Sequence, residues 1–276
     1  MSDILKKEDY EEPRCLLCDE PEEAETVHPV PQQRIIEKMD EYMSRRDYAG
    51  AERHLKYWLE EAKAGNDLRG QLMLYNELTG HYRKTGEKDN SLSAAENALQ
   101  TVEKLGMAGT VSAGTAYVNA ATAYSAFGEK ERALELFEQA EKHYEEAGNV
   151  PPHLLGGLYN NMALVLVALK RFRKAHERYD RAMELMAKVE GGVLEQAITC
   201  LNRADAWAAE LGEEDAEPKI FPLLDEAYDL LKTPEVPRDG YYAFVLEKCA
   251  PGFAYYGYFA AAEEFKKESE RIYEGA

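Results

Sequence analysis

The chain has 276 residues, of which 45% are hydrophobic, and its formal net charge at pH 7 is −19. This hydrophobic content suffices for a sizeable core and excludes a chain that is disordered throughout. Because a strongly acidic surface repels phosphate groups, we expect neither nucleic acid nor a membrane as a partner. No run of about 18 apolar residues occurs, and the first residues lack the apolar stretch of a secretory signal, so we expect a cytoplasmic protein.

The first 31 residues differ in composition from the rest of the chain. They contain ten carboxylates and four prolines against three Lys or Arg residues, which is typical of a tail or linker. We therefore predict an acidic arm over 1–31, either disordered or docked as a tethered ligand. Cys15 and Cys18 have the spacing of a metal-ligand pair, but a structural zinc site needs four ligands. We expect no metal and no other cofactor.

A small residue returns at a nearly constant interval along 32–276. Ser91, Ala133 and Ala175 follow one another at intervals of 42 residues, each with further small or aromatic residues at helical spacing. Gly128, between two helical runs, is a stop signal, so each repeat is predicted to form two helices. A period of this length indicates an all-α solenoid, in which each hairpin packs only on its neighbours.

The third repeat resembles the tetratricopeptide pattern in eight positions: Tyr117, Ala120, Ala121, Tyr124, Gly128, Ala133, Phe137 and Ala140. The resemblance implies a right-handed α-solenoid of about six hairpins over 32–276, ending in a polar capping helix. In the fifth repeat we expect an insertion over 213–218, with Ile220 at the small-residue position. Because the usual repeat has ~34 residues, each helix should be about one turn longer, as in arrays similar to kinesin light chain and the Rap-type regulators.

That resemblance implies a protein or peptide partner, held in a concave groove that the first helix of each hairpin lines. Asn119, Asn161 and Asn202 occupy equivalent places in three consecutive first helices. An Asn side chain offers a donor and an acceptor that match one peptide unit of an extended ligand. The alternative is that each amide bonds a neighbouring backbone group within the array. The predicted peptide-binding set has seven further members: Asn76, Arg83, Lys84, Thr122, Asn160, Leu164 and Asp205.

Two alternatives concern the use of this groove. The basic pair Arg83–Lys84 could hold an acidic peptide or a terminal carboxylate, or it is a solvated helix end whose cations favour the helix dipole. The expected function is a non-enzymatic scaffold, and the alternative is a Rap-like sensor of a signalling peptide, with the N-terminal arm as its inhibitor. We predict no catalytic residue, because the sequence shows neither a phosphate-binding glycine loop nor a nucleophile–base pair. The oligomeric state stays open.

Overall fold

The structure, a computed structural model, describes residues 27–275. Cys15, Cys18 and residues 1–26 of the predicted arm lie outside the described residues. The described part contains helices and no strand, which confirms the predicted all-α class. Its helices are α1 Gln32–Ser44, α2 Tyr48–Ala64, α3 Leu68–Thr85, α4 Lys88–Lys104, α5 Val111–Ala126, α6 Lys130–Ala147, α7 Pro152–Ala168, α8 Phe172–Met186, α9 Val193–Leu211, α10 Glu213–Leu231, α11 Gly240–Tyr255 and α12 Phe259–Gly275.

The chain divides into two compact units, one ending at Gln71 and the other beginning at Leu72. In the first unit α1 and α2 pack together, and the residues before α1 attach to the start of α3. Val30 is buried, and its backbone N–H donates to Asp67 Oδ2 at 2.9 Å. The other carboxylate oxygen of Asp67 accepts from the Gly70 N–H at 2.9 Å. The buried carboxylate of Asp67 therefore accepts hydrogen bonds both from the segment before α1 and from the first turn of α3.

The second helices α4, α6, α8 and α10 begin in the same way. The buried small residue donates its N–H to the residue before the helix, from Ala133 to Glu129 O at 2.9 Å and from Ala175 to Arg171 O at 3.1 Å. These small side chains, 0% exposed, let the helices approach closely. The small residue therefore recurs in the sequence because close helix packing requires it at the same turn of these second helices.

The predicted insertion in the fifth hairpin is wrong. Ala216, not Ile220, takes the small-residue position, because Ala216 is fully buried and donates its N–H to Gly212 O at 3.0 Å. Gly212, at φ +86°, directly joins the end of α9 to the start of α10, so no extra residues are needed there. The helix then continues through Pro218 and leaves Ile220 in the place that Tyr179 fills one repeat earlier.

Within the second unit, α7 contacts both α5 and α9, and α9 contacts α11. Asn119 also bonds Asn76, which extends this row to α3. The first helices thus share one surface, the first-helix face, which we define by Asn76, Asn119, Asn160, Asn202 and Tyr241. The predicted groove residues all belong to these helices.

Candidate peptide-binding face

Two asparagine pairs join neighbouring first helices. The Nδ2 of Asn119 on α5 donates to Oδ1 of Asn76 on α3 at 3.1 Å. The Nδ2 of Asn202 on α9 donates to Oδ1 of Asn160 on α7 at 3.0 Å. Asn76 also donates to the Leu72 carbonyl at 3.0 Å. The amides therefore bond one another across helices as well as the backbone of their own helix.

Each pair keeps unused hydrogen-bonding capacity. An Asn side chain has two N–H donors and an oxygen that can accept two hydrogen bonds. Within residues 27–275, the Oδ1 atoms of Asn119 and Asn202 accept no hydrogen bond, and each Nδ2 uses one of its two hydrogens. Both side chains are partly exposed. The two pairs can therefore still bond an approaching peptide group while they stay fixed by each other.

The register of the second pair differs by one residue from the predicted row of asparagines. Asn160 accepts from Asn202, whereas the side chain of the neighbouring Asn161 makes no hydrogen bond to any described residue. Thr199 also donates to Asn160 Oδ1, at 3.2 Å, and to the Glu195 carbonyl at 2.9 Å. Sequence reasoning missed Thr199, although it lies three residues before Asn202 and therefore shares its helical face.

The remaining predicted residues are spread along the first helices. Thr122 donates its hydroxyl to the Val118 carbonyl at 2.8 Å, so that hydroxyl is satisfied within α5. Leu164 on α7 is 42% exposed, which is unusual for a large apolar side chain on a packed helix. Arg83 and Lys84 are exposed in the last turn of α3. The structure does not bring this basic pair into contact with the asparagines of α7 and α9.

Asp205 on α9 connects the first-helix face to the last hairpin. Its Oδ1 accepts from the Tyr256 hydroxyl at 2.8 Å. Burial raises the pKa of Asp205 above its usual range, while the hydrogen bond from Tyr256 opposes this change. A cavity of about 520 Å³ adjoins this pair, between α9 and α11, and includes Pro251 and Tyr255 in its walls.

The face has an aromatic end, which lies outside the predicted peptide-binding set but within a Tyr-rich stretch of the sequence, 241–259, that is a candidate second contact face. Tyr241 and Phe244 on α11 are 48% and 49% exposed, and their ring centroids lie 6.2 Å apart in a stacked arrangement. The Tyr241 hydroxyl donates to Glu195 on α9, one turn before Thr199. Burial and this hydrogen bond raise the pKa of Tyr241 above its usual value, so the phenol stays a donor. The aromatic pair is therefore continuous with the asparagines through α9.

The described residues include two cysteines, and both belong to the same apolar core. Cys200 and Cys249 are buried, and burial raises the pKa of each thiol to about 12, so both stay protonated at neutral pH. In 27–275 no three His, Cys, Asp or Glu side chains are placed to share a metal ion. None of the helices in that range is long and apolar enough to cross a membrane.

The packed hairpins and the small residues at their crossings form an α-solenoid. In agreement, residues 71–146 match the family model for the tetratricopeptide repeat, which covers α3 to α6 almost completely. The predicted recognition and solenoid fold are confirmed. Repeats of this fold generally bind other proteins and typically have no enzymatic activity.

Two solved structures show the same fold at low sequence identity. BtubC (BKLC) from P. vanneervenii is 18% identical, with a TM-score of 0.52 over 88% of this chain and 91% of that one. The nearly identical TPR-like repeats of a Podosopora anserina protein, described as a kinesin light chain, are 19% identical, with a TM-score of 0.51 over 74% of this chain and 94% of that one. No curated protein sequence matches the chain.

Proposed function

We propose that the protein is a non-enzymatic scaffold that binds an extended segment of a partner protein on the first-helix face. The observation that carries this proposal is the pair of cross-helix asparagine contacts, Asn76–Asn119 and Asn160–Asn202. Each pair is preorganised by its own hydrogen bond and retains a free oxygen and a free N–H. Such groups bind a peptide backbone independently of its sequence.

The aromatic end would supply the selectivity that the asparagines lack. A hydrogen bond contributes about 0.5–1.5 kcal/mol net, so two amide pairs give only part of a micromolar affinity of about 8 kcal/mol. Tyr241 and Phe244 expose apolar area next to the asparagine row, and Leu164 adds an exposed aliphatic contact. We expect the bound segment to carry an aromatic or aliphatic side chain opposite this end.

The test compares two double variants that each remove two Asn amides. In Asn119→Ala/Asn202→Ala the removed amides come from the first-helix face. In the control, Asn90→Ala/Asn97→Ala, they come from the second helix α4, where Asn90 bonds Glu87 and Asn97 bonds the Ser93 carbonyl. Proteins captured from source lysate by the wild-type chain are identified by mass spectrometry and compared between variants.

A partner that the control retains and the first-helix variant loses supports the proposal, provided that both variants unfold at the same temperature as the wild type. Equal retention by both variants contradicts it. A large fall in protease sensitivity on addition of the identified segment would favour the sensor alternative, because a scaffold with a preformed face changes little on binding.

A further inference from the structure

The start of α8 concentrates positive charge in an otherwise acidic protein. Residues 170–181 contain six Lys or Arg residues and only two carboxylates, whereas the whole chain carries −19. Four of these cations follow one helical stripe, at spacings of three and four residues: Arg171, Lys174, Arg178 and Arg181. At a rise of ~1.5 Å per residue, the stripe is about 15 Å long.

Helix stability does not account for these cations. The N-terminus of a helix carries partial positive charge, which disfavours Lys and Arg in its first turn. The equivalent helix of the next hairpin, α10, follows this rule, with Glu213, Glu214 and Asp215 in its first turn. In α8 the same turn has no acidic residue and begins beside Arg171.

The stripe forms one wall of a cavity of about 450 Å³ between α6, α7 and α8. The floor is apolar and includes the buried side chains of Leu134, Met162 and Leu166. Glu138 on α6 and Glu177 on α8 are the carboxylates in the lining. A basic wall over an apolar floor matches a segment that carries both acidic and apolar side chains.

The four cations differ in how they are held. Arg178 is fixed by two hydrogen bonds to Glu141, at 2.6 and 3.0 Å, and lies 5.0 Å from the centroid of the Tyr159 ring. Arg181 bonds Glu184 at 2.8 Å. In contrast, Arg171 and Lys174 are exposed and form no ion pair with any residue in 27–275. These two side chains are therefore available to an outside carboxylate.

We propose that this surface, the α8 basic stripe with its apolar floor, is a second docking site, for an acidic amphipathic peptide segment of a partner protein. It lies on α6, α7 and α8 and shares no residue with the asparagine pairs. The apolar floor and the lining carboxylates favour a peptide over a nucleic acid, whose contacts are dominated by phosphates. The net charge of the protein also repels a long polyanion more than a short segment.

The test uses the full chain and a labelled synthetic peptide of about 12 residues, in which glutamates flank leucines. A peptide of this length spans the stripe as a helix or as an extended chain. Binding is measured by fluorescence anisotropy at about 50 and 200 mM salt, because exposed ion pairs weaken as salt screens them. A version with Gln in place of each Glu tests the requirement for charge.

Arg171→Gln/Lys174→Gln is compared with Lys104→Gln/Lys188→Gln, which removes the same charge from exposed lysines elsewhere. We expect the glutamate peptide to bind, more weakly at high salt, and the stripe variant to lose about fivefold or more in affinity, the loss expected for two exposed ion pairs. The lysine control should change by less than about twofold.

Three results would overturn the proposal. The first is no binding of the glutamate peptide at low salt, and the second is equal weakening by both variants. The third is tighter binding of a single-stranded oligonucleotide of the same charge, which would mean that the stripe recognises phosphates. Since Arg171 and Lys174 are exposed, the stripe variant should keep the wild-type unfolding temperature.

Discussion

The hairpin α5–α6 in the middle of the array and the hairpin α11–α12 at its end are held in different ways. The middle hairpin contacts α4 on one side and α7 on the other, and its core is apolar, with Ala133, Phe137 and Ala140 fully buried. The last hairpin packs onto α9 and has no following repeat within residues 27–275. The neighbouring repeats on both sides therefore shield the apolar residues of an interior repeat from water, and burial of these residues can hold the repeat in place.

The last hairpins have more tyrosine–carboxylate contacts than the middle one, where Tyr124 donates its hydroxyl to Glu96 at 2.9 Å. Tyrosine hydroxyls bond carboxylates across helices, from Tyr256 to Asp205 and from Tyr258 to Asp225, each at 2.8 Å. These bonds lie at the water-facing rim, whereas Phe253 and Phe265 fill the apolar interior of the same hairpin. The difference teaches that a repeat with one open side uses aromatic residues whose polar ends can face water.

The largest loss of stability is expected when a buried side chain of the α5–α6 hairpin is truncated. Phe137→Ala should lower the free energy of unfolding by about 3–5 kcal/mol, because it leaves a cavity that neighbours on both sides cannot fill. In a linear array each repeat is stabilised by its nearest neighbours, so the main unfolding transition in urea should shift. The measurement is the urea midpoint by circular dichroism.

Phe265→Ala is the matched truncation at the open end, since Phe265 is also fully buried. Here we expect the main transition to change less, while amides of α11 and α12 lose protection from hydrogen exchange. Equal shifts of the main transition in both variants would mean that the array unfolds as one cooperative unit, and the contrast between its middle and its end would disappear.

A smaller effect concerns the close helix crossing in the middle hairpin. A Cβ at Gly114 would lie 2.3 Å from the ring of the buried Tyr144, so Gly114→Ala should cost about 1–3 kcal/mol of stability. Gly157 in α7 is the control, because a Cβ there meets nothing within 4 Å. Gly157→Ala should stabilise the protein by about 0.5–1 kcal/mol through helix propensity. If thermal unfolding shows the same sign for both, steric contact does not explain Gly114.

The smallest effect is a pH dependence at the rim of the last hairpin. Burial raises the pKa of Asp205 in the folded protein, so the folded state favours its protonated form. The contribution of Asp205 to stability should therefore decline as pH rises through the ordinary Asp value of about 3.9, and Asp205→Asn should remove this contribution. The amide oxygen of Asn can still accept from Tyr256.

Urea unfolding at several pH values measures this contribution. The stability of Asp205→Asn relative to wild type should be greater at pH 7 than below about pH 3.9. A relative stability that is constant with pH, or that is smaller at pH 7, would show that Asp205 has no raised pKa in the folded chain.

Much of the fold could be read from the sequence, because the repeat makes each packing position visible several times. Ser91, Ala133 and Ala175 sit at the same turn of successive second helices, and their spacing alone predicted the hairpins. The prediction failed in the fifth repeat, where an insertion was expected over 213–218 and Ile220 was assigned the position that Ala216 takes. The glycine turn at Gly212 lets α10 begin directly after α9, and a turn conformation of this kind depends on both flanking helices.

The candidate site was less predictable than the fold. The sequence alone identified asparagines on the first helices, because their spacing follows the repeat and an amide has a known bonding capacity. Only the tertiary structure decided that Asn160 rather than Asn161 meets Asn202, since a shift of one residue rotates a side chain by about 100° around the helix. The tertiary structure also decided that Tyr241 is exposed and that the α8 basic stripe lines a cavity. The exposure of a residue depends on which neighbouring helices cover it.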